Sequence, residues 1–134
     1  VENDIYCALS KDYKTITLSL AEMVGLIAAV QWVLEHQHQF EKFVICTDSF
    51  DVTELWNMIE IAKANSWRLS NHQKSKNIPE SSLLHDLKQR VKAEIPNFRL
   101  QCIAGHNRAH TKFHRFMNTK ADRLAKLGSD LYVL

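Results

Sequence analysis

No apolar run in this 134-residue sequence approaches the ~20 residues that a membrane-crossing helix needs. No signal-peptide pattern opens it. There are three cysteines and no Cys-x-x-Cys pair, so neither a disulfide framework nor a ribbon-type zinc site is indicated. Cys46 and Cys102 fall inside apolar, strand-like runs and read as small buried hydrophobes. The odd count of three cysteines and these positions point to a reducing, intracellular compartment. Internal repeats and low-complexity tracts are absent. The most uneven absence is of acids: residues 61–79 and 95–121 contain none. The first of these stretches carries Lys63, Arg68, Lys74 and Lys76, the second Arg99, Arg108, Lys112, Arg115 and Lys120. Net charge is only +2, so the segregation says more than the total. It suits either a phosphate-facing surface or a solvated basic face.

What is present is an ordinary globular composition, 46% hydrophobic and 24% charged. At this length it builds one domain, residues 1–134, with a core that needs no staples. The abrupt start suggests a piece of a longer polypeptide. Asp4–Ser10 reads as a short strand. Thr17 caps a helix running to about His36, with Leu20, Met23, Leu26, Ile27, Val30, Val33 and Leu34 at helical spacing. Phe43–Thr47 is apolar on both faces, as a central strand covered on both sides would be. Asp51–Ala64 is a helix whose apolar face holds Val52, Leu55, Trp56 and Ile59, with Met58 beside them. Glu80–Glu94 is a second amphipathic helix, through Leu83, Leu84, Leu87 and Val91. Phe98–Ile103 alternates as a half-exposed strand. Ala104–Met117 reads as a long loop rich in histidine, and Asn118–Gly128 as a last helix closed by Gly128. Fold class on this order is α/β.

Three acids stand among apolar neighbours at the ends of these elements. Glu22 opens the first helical pattern, Asp48 ends Phe43-Val44-Ile45-Cys46-Thr47-Asp48, and Asp122 lies at the start of the last helix. An unpaired carboxylate in such surroundings is costly. Gathered at one point, the three would repel, and divalent cations would relieve that. Scattered, they are ordinary surface acids at helix starts, favoured by the macrodipole.

The pieces Leu20-Ala21-Glu22-Met23, Val44-Ile45-Cys46-Thr47-Asp48-Ser49, Cys102-Ile103-Ala104-Gly105-His106 and Asn118-Thr119-Lys120-Ala121-Asp122-Arg123-Leu124-Ala125 occur here in one order and spacing. Together they resemble the type 1 ribonuclease H family, and within it the ribonuclease H domain of retroviral reverse transcriptases, the gammaretroviral type above all. The resemblance runs from about Asp4 to Leu127. It implies a mixed sheet flanked by helices and hydrolysis of the RNA strand of an RNA–DNA hybrid. It also implies Mg²⁺ or Mn²⁺ held by Glu22, Asp48 and Asp122, with His106 aiding proton transfer or product release. By the same resemblance, Lys63, Trp67, Arg68, Lys74 and Lys76 form a basic protrusion that grips the hybrid, and Ser49 and Asn118 contact its backbone. The family's first strands, with an aspartate before a Gly-rich turn, have no counterpart: Asp-Gly-Ser does not occur. The fourth carboxylate is therefore expected from outside this chain, and a sheet without its outer strands would expose an edge that invites a second copy.

Two other readings attach to the same residues. Cys102, His106, His110 and His114 resemble a zinc cluster at four-residue spacing, although Cys102 is predicted to face the core. A different function class is a catalytically inactive module of a host protein derived from a retroelement, serving in nucleic-acid binding or protein interaction. The expected setting is cytoplasm or nucleus, or the virion for a viral protein, with no membrane partner.

Overall fold

The computed structural model describes residues 18–68, 77–103 and 111–133, with side chains described from Leu20 to Leu127. The expected strand at Asp4–Ser10, the Thr17 cap, Lys74, Lys76, His106 and His110 lie outside these residues. The order of elements is α1 (Leu18–Glu35), β1 (Phe43–Thr47), α2 (Phe50–Ala64), α3 (Ile78–Glu94), β2 (Phe98–Cys102) and α4 (Lys112–Val133). Among the described residues, no helix is long and apolar enough to cross a membrane.

The two strands pair in parallel, Phe43 opposite Phe98 through Thr47 opposite Cys102. Parallel partners need a long crossover, and α2 and α3 supply it. Hydrogen bonds from Phe43 N to Asn97 O (2.9 Å) and from Ile103 N to Thr47 O (2.8 Å) extend the ladder at both ends.

The core lies where α1, α2 and α3 meet the sheet. Val30, Ile59 and Leu84 are wholly buried, with Met23, Leu26, Val33, Phe43, Trp56, Leu87, Val91 and Ile95 around them. Apart from Phe43 on β1 and Ile95 just after α3, these are positions the helical spacing singled out, since residues three and four apart share a helix face; Leu83, expected on the same face of α3, is instead 43% exposed, one position round from Leu84. Trp56 is core, as its spacing predicts. Met58 is 47% exposed: at two residues past Trp56 it lies on the far side of α2.

Three local expectations are corrected. First, β1 is not covered on both sides. Its burial alternates, and Val44 is exposed along with Cys46. Secondly, Cys46 and Cys102 are exposed rather than core, because Cys46 shares the open face with Val44 and Cys102 ends β2. Thirdly, the last helix is Lys112–Val133, not Asn118–Gly128. It starts earlier because the Thr111 hydroxyl accepts the His114 N–H (3.0 Å), a side-chain cap that turns the supposed loop 112–117 into two turns of helix. It runs on because a glycine costs a helix only about 1 kcal/mol relative to alanine. The helices also start a little earlier elsewhere: α2 at Phe50 behind the Ser49 cap, and α3 at Ile78 with Pro79 in its first turn. Asn77, before α3, takes a left-handed φ of 58°, a conformation asparagine tolerates better than most residues.

Candidate functional site

β1 ends at Thr47, and the chain turns through Asp48 and Ser49 into α2. The turn is built by three short contacts. The Ser49 N–H donates to Thr47 Oγ1 (3.1 Å), the Val52 N–H donates to Ser49 Oγ (3.2 Å), and Thr53 Oγ1 donates to Ser49 O (2.9 Å). Ser49 is thus the N-cap of α2, satisfying one of the helix's orphan donors. Its hydroxyl still has a proton to give. That proton goes to Glu22 Oε2, 2.7 Å away on α1, a charge-assisted bond at the short end of its range. The Ser49 side chain is buried and Glu22 is half-buried.

A second bond brings in the last helix. Asn118 Nδ2 donates to Asp48 Oδ2 at 3.3 Å. Asn118 is buried, Asp48 exposed. Asp122 lies one helical turn beyond Asn118 and so on the same side of α4, and it is exposed. Each of the first two acids therefore has one oxygen held by a neutral donor, serine for Glu22 and asparagine for Asp48. All three acids sit on elements that meet at the C-terminal end of β1.

The chemistry of this donor set fits a hard cation, because carboxylate oxygens are what Mg²⁺ and Mn²⁺ prefer. Its spacing does not: among the described residues, no three His, Cys, Asp or Glu side chains stand close enough to hold a metal ion. The acids are linked through Ser49 and Asn118 rather than gathered around a common point. Of the four residues of the zinc reading only Cys102 and His114 are described, and Cys102 is exposed rather than turned to the core as expected of it.

The expected nucleic-acid residues fall into two groups. Ser49 and Asn118 are at the acids, engaged with them as above. Lys63 and Arg68 are exposed at the far end of α2, roughly 22 Å along the helix axis from Ser49 at 1.5 Å per residue. Trp67 is half-buried and packed on the core, at a left-handed φ of 61° beside Ser66 at 56°. Arg68 makes further contacts of its own.

Sequence reasoning placed Ser49 and Asn118 near the site but missed that they hold the acids. The signal was available for Ser49, a serine three residues before Val52 at a strand-to-helix junction. It was not available for Asn118, whose partner is 70 residues away.

The titration shifts lie elsewhere. Burial pushes the Cys46 thiol up, against the pull of the Arg99 charge. Burial also opposes ionisation of Glu60. Hydrogen bonds from its backbone, Lys88 and Lys92, with the Lys88 charge, outweigh that and hold its carboxyl down at about 2. Lys88 is the hub: its ammonium bonds Glu60 Oε2 (3.1 Å) and the Trp56 carbonyl, and stands 5.4 Å from the centre of the Trp56 ring. This network clamps α3 to α2 and belongs to the fold.

A family model described as RNase H matches residues 4–130. Among solved structures, the solution structure of the RNase H domain of PFV, a foamy retrovirus, superimposes with a TM-score of 0.70. It shares 24% sequence identity and covers 89% of this chain and 68% of that one. No curated protein matches in sequence.

Proposed function

The chain belongs to the ribonuclease H family, and from that membership we propose that it binds RNA–DNA hybrid and hydrolyses the RNA strand. The observation that carries this reading is that Glu22, Asp48 and Asp122 stand on three elements tied together at one end of β1 by the Ser49 and Asn118 hydrogen bonds. The hybrid would be recognised by its A-form shape and 2′-hydroxyls, with no base sequence read. The basic residues Lys63, Arg68, Lys74 and Lys76, with Trp67, would grip it at a distance from the acids. Mg²⁺ or Mn²⁺ is the cofactor class the three acids suit, and His106 the residue for proton transfer. Among the described residues these acids do not gather around a common point. The setting proposed is a retroviral or retroelement-derived polyprotein in cytoplasm or nucleus, or a virion. Among the described residues, the edge of β1 away from β2 has no partner strand, and a further strand, from a second copy included, would pair there.

That same spacing of the acids favours a second reading, a nucleic-acid-binding or interaction module that does not cleave. One experiment separates the two. A labelled hybrid is incubated with the purified chain in Mn²⁺, beside Asp48→Asn. Cleavage by the unsubstituted chain alone supports the nuclease. Binding without cleavage supports the module. Neither binding nor cleavage overturns the nuclease and the nucleic-acid-binding module alike.

A further inference from the structure

The charges on α3 and α4 are handled differently. On α3, Lys88 and Lys92 meet Glu60, and Arg90 meets Glu94. On α4, none of Lys112, Arg115, Arg123 and Lys126 forms an ion pair with a described residue. At 100° per residue the four fall within an arc of about 80°, and Lys112 to Lys126 spans roughly 21 Å of helix. Lys112, Arg123 and Lys126 are exposed and Arg115 is half-buried. Between Lys112 and Leu127 the only acid is Asp122, which lies at the edge of the arc nearest Asn118. The stripe therefore passes the Asn118–Asp48 bond, with Lys112 and Arg115 on one side of it along the axis and Arg123 and Lys126 on the other, on a helix that this bond ties to the rest of the fold.

We propose that Lys112, Arg115, Arg123 and Lys126 form a phosphate-binding surface, which holds the backbone of a nucleic acid passing the Asp48–Asn118 site. The proposal rests on the reading that this site faces nucleic acid, and it adds a contact surface distinct from the basic segment 63–76. The match is one of charge and length. Four cations unpaired among the described residues lie along roughly 21 Å, and one strand of a duplex carries a phosphate about every 3.4 Å of its axis. A basic helix with exposed Phe113 and Phe116 is also the kind that lies on an anionic bilayer. Continuity with the acids favours the nucleic acid.

The test is fluorescence anisotropy of the purified chain with a short labelled RNA–DNA hybrid, and with a DNA duplex of the same sequence, in EDTA at about 50 to 200 mM salt. The Lys112→Ala/Arg115→Ala/Arg123→Ala/Lys126→Ala variant should lose roughly 0.9 from the log–log salt slope for each phosphate contact removed, up to about 3.6 in all. Alanine favours helix, and far-UV circular dichroism checks the fold. Arg115→Lys/Arg123→Lys, which keeps the charge, should retain the slope, as should Arg90→Ala on α3. A slope that falls with the DNA duplex but no selectivity for hybrid supports the stripe and counts against the hybrid reading. An unchanged slope in the fourfold variant overturns the stripe and leaves that reading standing. So does a fourfold variant that loses only its binding to phosphatidylserine vesicles. No binding of either duplex by the unsubstituted chain at the lowest salt overturns both.

Discussion

The Ser49 hydroxyl donates to Glu22 Oε2 across 2.7 Å while its oxygen accepts the Val52 N–H at 3.2 Å. One side chain thus starts α2, closes the turn after β1 and fixes an acid of α1. If the two bonds are coupled in this way, a double-mutant cycle between Ser49→Ala and Glu22→Ala should give an interaction energy of about 0.5–3 kcal/mol. Ser49→Ala by itself should also lose the cap, which costs roughly 0.5–2 kcal/mol. Ser49→Gly should lose only a few tenths of a kcal/mol on the cap side. Urea denaturation of the four cycle members reads the result, and strict additivity would rule the contact out.

Asn118 should govern how firmly α4 is held. Its side chain is buried and spans from α4 to Asp48. Phe113 and Phe116 at the start of the same helix are more than 60% exposed and contribute little burial. Asn118→Ala should therefore speed amide exchange along α4 and leave α1 and α3 protected. Equal loss of protection in all three helices would mean that α4 is not a separately held unit.

Metal binding gives a third expectation. A cation that binds only the folded chain raises its melting temperature. Mn²⁺ at millimolar concentration should do so if the acids can close around it, and Asp48→Asn should remove the gain. The same substitution in metal-free buffer should be neutral to stabilising, since it removes one of several like charges. A melting curve unchanged by Mn²⁺ favours the non-cleaving module.

Glu60 sets an acid limit on stability. Its folded-state carboxyl is depressed to about 2 from an unfolded value near 4.5. A depressed acid stabilises the fold fully above its unfolded pKa, and the contribution is lost as pH falls through the folded one. Stability should thus decline between pH 4.5 and about 2, and Glu60→Gln should flatten that decline. The Glu60 side chain is 36% exposed, so the effect is screened and should shrink in high salt. A pH profile identical in both proteins would refute the assignment.

The core makes the last prediction. Leu84 on α3 is wholly buried in the core while Met58 is 47% exposed on α2. Leu84→Ala should cost about 2–5 kcal/mol. Met58→Lys should stay within about 0.5 kcal/mol. Comparable losses at the two positions would misplace the core.

The sequence alone determined α1, α2, α3 and the two strands within a few residues, and the middle of α4 but neither of its ends, because helical spacing and strand composition are local signals. It also determined the family, because Glu22, Asp48, Gly105-His106 and Asp122 keep their order and surroundings. The tertiary structure decided what is not local. A capping hydroxyl at Thr111 turned part of a presumed loop into helix. Alternating burial along β1 put Cys46 outside, where an apolar run had suggested core. Above all, no pattern in the chain says that Ser49 reaches Glu22, 27 residues back, or that Asn118 reaches Asp48, 70 residues back. Those contacts exist only once β1 is laid in parallel against β2, and α1 and α4 are brought to the same end of the sheet. Hydrogen bonds act over about 3 Å, and that proximity is a property of the assembled fold.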